Sequence, residues 1–227
     1  MESEILKKIK ASLAEAVTAL CFLSMVLSAH GQQVVKWELK DDRDGIAVYT
    51  GNVGGSKFKA LKVSCTFNAT LSQMVEALMD VDRTPEWLFH TAGCFIVKQI
   101  TPADLYYYSV VEIPWPVSNR DFVSHLKVSQ DPASRVVTID ANCVEGMVAA
   151  KANMVRVTYS TGKWILAPVG GNQVKLTYTI HADPGGSIPA WLSNLFITQG
   201  PLQSIEKLRG FIQQPTYKNA RLDYLKE

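Results

Sequence analysis

Asp183-Pro-Gly-Gly-Ser-Ile-Pro-Ala-Trp-Leu-Ser-Asn-Leu-Phe196, with the stretch running on to about Ile212, decides how this chain folds. The Gly-Gly turn ends a strand, Ser187 is placed to cap a helix, and Pro189 falls in that helix's first turn, where a missing N–H costs nothing. Ile188, Trp191, Leu192, Leu195 and Gln199 recur at helical spacing and make one stripe. A helix from Ile188 to Ile212 is on the order of 37 Å long, enough to cross a small domain. On a helical wheel, Leu202, Ile205, Leu208 and Ile212 centre roughly 100° from the first stripe. The break falls at Gly200-Pro201, where proline removes an intrahelical N–H donor. The expectation is a helix in two parts, the first covering a cavity and the second clamped onto a sheet, with Gly200 and Pro201 as a hinge.

Upstream, the pattern is almost wholly β. Trp37 to Tyr49 reads as strand, Asp-Gly turn, strand, and Phe58 to Phe67 alternates with Leu61, Val63, Cys65 and Phe67 on one face. Thr70-x-x-Gln73 opens a short helix with Leu71, Met74, Val75, Leu78 and Met79 as its stripe, ending near Asp80–Pro85. From Gly93 onward, strand-like segments (Phe95–Ile100, Leu105–Ile113, Arg120–Val128, Arg135–Cys143, Met154–Ser160, Lys163–Ala167, Gln173–His181) alternate with turn residues, Ala167-Pro168 among them. They are expected to be antiparallel neighbours. Several have one apolar face, for example Leu105, Tyr107, Val111 and Ile113, and such a face must be buried against something. The long C-terminal helix is the available cover. The fold class is therefore α+β: a curved antiparallel sheet wrapped around a long C-terminal helix.

The chain has 227 residues, 47% of them apolar, and a net charge of +2. That is one domain, without the basic stripe that nucleic acid requires. Lys7, Lys8 and Lys10 precede an uncharged apolar run from Ala16 to Ala29 that closes in Ala29-His30-Gly31. This has the form of a secretory signal peptide over residues 1–31 and predicts export to the periplasm, the cell envelope or the medium. Fourteen apolar residues reach only about 21 Å, short of the ~30 Å a membrane anchor has to span. Residues 32–212 form the domain, and the polar stretch 213–227, broken by Pro215, reads as a loosely attached tail. Beyond the leader, Cys65, Cys94 and Cys143 make neither a CxxC pair nor an even set, which points to small buried residues. The four histidines are scattered, with His125 and His181 expected on solvated strand faces, and neither a cofactor nor a metal is called for.

Trp37-Glu-Leu, Asp44-Gly-Ile-x-Val-Tyr49, Asp80-x-x-Arg83-x-x-x-Trp87, Ile113-Pro-Trp-Pro-Val-Ser-Asn-Arg-Asp-Phe-Val123, Val155-Arg156 with Gly162-x-Trp164, and the Asp183-Pro-Gly-Gly helix start follow one another in order. In this series the chain resembles the START family of lipid-binding domains, within the Bet v 1-like helix-grip superfamily, and its compact bacterial members above all. The resemblance implies a deep apolar tunnel between sheet and C-terminal helix that holds one lipid or similar hydrophobic molecule. It is compatible with a monomer that touches a membrane surface transiently.

Such a site needs apolar walls, one or two polar groups and a gate. Arg83 and Arg120 are the candidate charged anchors. Arg120 shares a strand face with Phe122, Leu126 and Val128, and its fork suits a phosphate or carboxylate. The alternative for each is a standing ion pair, Arg120 with Asp82 or Arg83 with Asp121, and Asp121 beside Arg120 suggests such a network. Trp87, Tyr107, Val111, Trp115, Trp191, Leu192, Leu195 and Phe196 are candidate lining residues, and Trp115 between two prolines alternatively sits on an entrance loop. Gln199 is a candidate hydrogen-bond partner for a ligand. No nucleophile elbow, phosphate loop or paired acids appear. A cyclase- or hydrolase-like enzyme using Arg120, Asp121 or Tyr107 is the rival to a non-enzymatic carrier.

Overall fold

A computed structural model describes residues 35–189, 192 and 195–227. The leader, with its expected cleavage, lies outside the described residues. β1 (Trp37–Arg43) and β2 (Ile46–Asn52) form the expected hairpin. Its turn residues Asp44 and Gly45 both have positive φ, 52° and 70°, the pair of left-handed residues that a tight hairpin turn needs. β3 (Lys59–Asn68) follows, with Val63, Cys65 and Phe67 buried.

Helix α1 (Leu71–Met79) begins as the capping signal says, Thr70 Oγ1 accepting from Gln73 N at 3.1 Å. The reciprocal half of the box is absent, because the Gln73 amide donates instead to Ile212 O at the end of the C-terminal helix. A 3₁₀ turn (Val81–Glu86) occupies the place where α1 was expected to fail.

β4 (Thr91–Thr101), β5 (Asp104–Val111), β6 (Asn119–Gln130), β7 (Val137–Cys143), β8 (Met154–Arg156), β9 (Tyr159–Gly170) and β10 (Gln173–Asp183) complete one ten-stranded sheet. Its order is β1-β2-β3-β10-β9-β7-β6-β5-β4, with β8 beside β6. Two details depart from the sequence reading. β8 pairs with β6 in parallel, because β7 joins β6 only from Ser124 onward and leaves Asn119–Asp121 open to a returning strand. β9 runs through Pro168 rather than turning there, and the proline is tolerated because it adjoins a register shift opposite Gln173 and Val174. Both terminal strands are also irregular: β1 shifts register between Leu39 and Asp41, and β4 does so three times along its pairing with β5.

The C-terminal cover is in two parts, though not as one bent α-helix. Ile188 and Pro189 are irregular, Leu195–Gln199 form a π-helix, and α2 (Gly200–Phe211) follows. Pro201 cannot donate to the preceding turn, and the wide π turn lies directly upstream of that gap. α2 buries Leu202, Ile205, Leu208 and Phe211 against the sheet and α1. Arg209 Nη1 fastens it to the β1–β2 turn by donating to Asp44 O at 3.0 Å.

Residues 213–227 are not the loose tail expected. Their short helix α3 (Pro215–Lys218) inserts Tyr217, which is 0% exposed, and its hydroxyl donates to Asp80 at 2.7 Å. Leu222 and Leu225 pack on the same core, and the Glu227 carboxylate accepts from Leu71 N and Ser72 N at the start of α1. A negative group there complements the open N–H groups and the helix dipole.

On the outer side of the sheet, Arg156 on β8 grips Asp121 on β6 through two hydrogen bonds of 2.8 and 2.9 Å, and Tyr108 on β5 donates to the same carboxylate at 2.9 Å. Asp121 is 0% exposed, so this is a buried ion pair with its spare lone pair satisfied. Two predictions follow from these contacts. Tyr217→Ala is expected to cost about 3–5 kcal/mol in urea unfolding, as for a large aromatic removed from a core, where a loose tail would show under about 0.5 kcal/mol. Asp121→Asn strands the Arg156 cation and is expected to cost about 3–5 kcal/mol at pH 7. The Arg156 hydrogen bonds hold the Asp121 carboxyl below the usual carboxylate range, so its stabilisation is complete above about pH 5 and fades as pH falls through the lowered value. Stability measured against pH for wild type and variant should therefore converge on acidification.

Candidate ligand-binding site

Between the inner face of the sheet and the C-terminal cover lies a cavity of about 410 Å³. Its floor follows from strand register. Val111 on β5 faces Arg120 on β6, and further along the same strands Tyr107, Ser124 and Cys143 stand side by side across β5, β6 and β7. Ser160 on β9 lies beside Cys143 and also lines the space. The rest of the wall is mainly aliphatic and aromatic, with Leu126, Ala141, Trp164 and Ile180 from the sheet and Leu78 and Val81 from the α1 side. Burial pushes the Cys143 thiol up to about 11 and raises the Tyr107 and Tyr178 hydroxyls well above their ordinary range. All three are neutral hydrogen-bonding groups near pH 7.

Of the residues picked from sequence, Trp87, Tyr107, Val111, Arg120, Leu192, Phe196, Gly200 and Pro201 line this cavity. Trp87 meets Trp164 edge to face at 6.1 Å, and Trp164 in turn stacks on Tyr178 at 3.9 Å. The Trp87 indole nitrogen is buried without a hydrogen-bond partner. Phe196 packs edge-on against Phe89 at 5.6 Å. A Cβ on Gly200 would stand 2.9 Å from the Phe89 ring, so glycine permits the close approach of α2 to that wall. Ser204 locks the contact: its hydroxyl accepts from Phe89 N at 3.0 Å and donates to Gly200 O at 2.7 Å.

Arg120 is 4% exposed and faces the cavity, as its strand parity requires. Its partners are carbonyls, not the acid expected from the ion-pair alternative. Nε donates to Pro184 O at 3.3 Å, Nη2 to Gly185 O at 3.2 Å, and Nη1 to Ser118 O. The guanidinium thus joins the loop after β5 to the chain just before the cover begins.

Three expectations fail. Arg83 does not line the cavity; its guanidinium lies over the Phe211 ring at 4.9 Å and bonds Glu86, Gln214 and Tyr217. It is therefore paired neither with Asp121 nor with a ligand position, but pins α3 to the 3₁₀ turn. Trp115 is 91% exposed at the tip of the loop after β5, which leaves only the reading as an outer loop residue. Gln199 is exposed, because the extra residue of the π turn rotates it off the stripe that an α-helix would have kept. Trp191 and the Leu195 side chain lie outside the described residues.

Sequence reasoning passed over Ser124, Cys143, Ser160, Trp164 and Tyr178 as site residues. Ser124 was discoverable as a small polar residue between Phe122 and Leu126 on an otherwise apolar strand face. His125 and His181, expected to be solvated, are half-buried and partnered, the first with Asp104 at 2.7 Å and the second with Ser56 at 3.0 Å. Among the described residues no group of His, Cys, Asp and Glu is placed to hold a metal ion, and no helix is long and apolar enough to cross a membrane.

With this geometry in hand, the similarities to known proteins are informative. The START domain family model matches residues 20–218. An uncharacterised protein of Pseudomonas aeruginosa is 33% identical over 173 residues, covering 76% of this chain and 85% of that one. Phosphatidylcholine transfer protein from Bos taurus is 25% identical over 163 residues, covering 70% of this chain and 75% of its own. The crystal structure of a STAR-related lipid transfer protein from Xanthomonas axonopodis superimposes with a TM-score of 0.71 at 31% identity, covering 78% of this chain and 99% of that chain. The helix-grip sheet, the cavity beneath a C-terminal cover and a family match spanning most of the sequence agree, and the chain belongs to the START domain family.

Proposed function

We propose that this protein is a non-enzymatic carrier or sensor that takes one hydrophobic molecule, a lipid or similar compound, into the cavity and shields it from water. The observation that carries this reading is the largely apolar space of about 410 Å³ between sheet and cover. Relatives named for lipid transfer support it. Each buried methylene is worth ~0.8 kcal/mol, so about ten of them reach micromolar affinity without a special head-group contact. The cyclase- or hydrolase-like alternative needs a group that takes or gives a proton near neutrality. The titratable hydroxyls and thiol in the cavity are pushed away from that range, and Asp121 is turned to the outer face and held by Arg156. The leader-like segment over residues 1–31 supports a setting in the cell envelope or outside the cell, and transient contact with a membrane surface is the proposed source of the cargo.

The junction at Gly200 and Pro201 is the hinge in this scheme, opening the π-helical segment while α2 stays on the core. The test of the carrier reading is native mass spectrometry on gently purified protein incubated with a membrane lipid extract. One bound hydrophobic molecule per chain is expected, and a clean mass of the bare chain under those conditions overturns it. Ala141→Phe, which puts a ring into the cavity from β7, is expected to reduce that adduct at least about tenfold while leaving the circular dichroism spectrum unchanged.

A further inference from the structure

The charge distribution inside the cavity narrows the class of molecule it takes, on the assumption that the carrier reading above is right. Among the described residues that line it, none is acidic, and the two cations are Lys59 and Arg120. Lys59 is exposed at the start of β3, whereas Arg120 is buried. A guanidinium has five N–H donors and does not give up its proton. Three of the five are used here, all on backbone carbonyls, which offer dipoles but no counter-charge. The next residue shows the contrast: Asp121, on the other face of β6, is fully matched by Arg156. A buried charge without a countercharge is costly, and an anion arriving from the cavity side repays that cost.

Size sets the second limit. A space of about 410 Å³ lies toward the lower end of the ~300–1,000 Å³ range of small-molecule pockets, which suits one aliphatic chain better than the two of a phospholipid. Away from Arg120 the walls are mostly apolar, with Phe122, Leu126 and Trp164, and the polar groups among them, Ser124, Tyr107 and Cys143, carry no charge near pH 7. We propose that the ligand is a single-chain acidic amphiphile, one aliphatic chain with a carboxylate or phosphate monoester at one end, whose anionic group is held by Arg120 next to Pro184 and Gly185.

The experiment titrates the intact protein with myristate, tetradecyl phosphate and tetradecanol, following the fluorescence of the cavity tryptophans Trp87 and Trp164 at pH 8. Wild type is expected to bind both acids at least about tenfold more tightly than the alcohol, the scale of one charged hydrogen-bonded contact. Arg120→Gln is expected to bring the ratio to about one, with the alcohol's affinity little changed. Equal affinities for acid and alcohol in wild type overturn the proposal whether or not the variant folds, and leave the carrier reading standing. No binding of any of the three overturns this inference, while the carrier reading stands or falls separately on the lipid-extract experiment. Inorganic phosphate competing with tetradecyl phosphate, but not displaced by tetradecanol, would assign Arg120 to a free anion and also overturn the proposal.

Discussion

A sheet of ten strands with an apolar inner face must keep that face dry, and few helical residues are available to do it. α1 and α2 divide the task. α1 and the 3₁₀ turn close one end with Leu71, Met74 and Val75, and α2 seals a neighbouring part with Ile205, Leu208 and Phe211. Together they do not fill the concave space, and the remainder is the cavity. In this fold the binding site is what is left when a strongly curved sheet meets too little helix to pack it solid. Stability and ligand capacity are in tension at this surface, since each aliphatic group added to the lid side would strengthen the core and shrink the space.

The buried polar contacts show where the protein resists that tension. The Gln73 amide on Ile212 O and the Glu227 carboxylate on the start of α1 connect elements far apart in sequence. Ser204 does the same between α2 and the wall at Phe89. These bonds anchor the downstream part of the cover. The upstream part, just after β10, is held by Arg120 through carbonyl groups, which bind it less strongly than a carboxylate would. The two ends of the cover are therefore fastened differently, the downstream end by several side chains bonded across elements far apart in sequence, the upstream end through one cation that faces the cavity.

Much of the fold was legible because it rests on local rules. The Asp44-Gly45 turn, the Thr70 cap and the alternation of Val63, Cys65 and Phe67 each appear where sequence places them. The discontinuity at Gly200-Pro201 was also visible, although as a bend; that it takes the form of a π turn, turning Gln199 outward, depends on how the chain recovers its hydrogen bonds after proline. The family resemblance, carried by motifs on several elements, extended the reading to the overall architecture. The failures are non-local. Tyr217, Leu222 and Leu225 are too widely spaced to signal a packed segment, and their burial is decided by surfaces more than a hundred residues away. Asp121 beside Arg120 suggested one standing ionic network, yet strand alternation sends the two to opposite faces of the sheet. One became a site residue and the other half of an outer ion pair, a separation that adjacency in sequence conceals.

The irregular pairing at the two ends of the sheet bears on how the molecule behaves among copies of itself. An open sheet, unlike a closed barrel, ends in strands whose outward N–H and C=O groups can accept a further strand. Here the register shift in β1 and the three shifts in β4 interrupt both rows, and Lys40, Asp41, Asp42 and Lys98 add charge along the same strands. Bulges twist an edge and break the even spacing that another strand would need. On the proposed carrier reading, opening the cover would expose apolar surface, and backbone-to-backbone association would be most damaging at that moment. By ending its sheet in two broken edges, this chain limits that association through the geometry of its margins, independently of whatever fills the space between them.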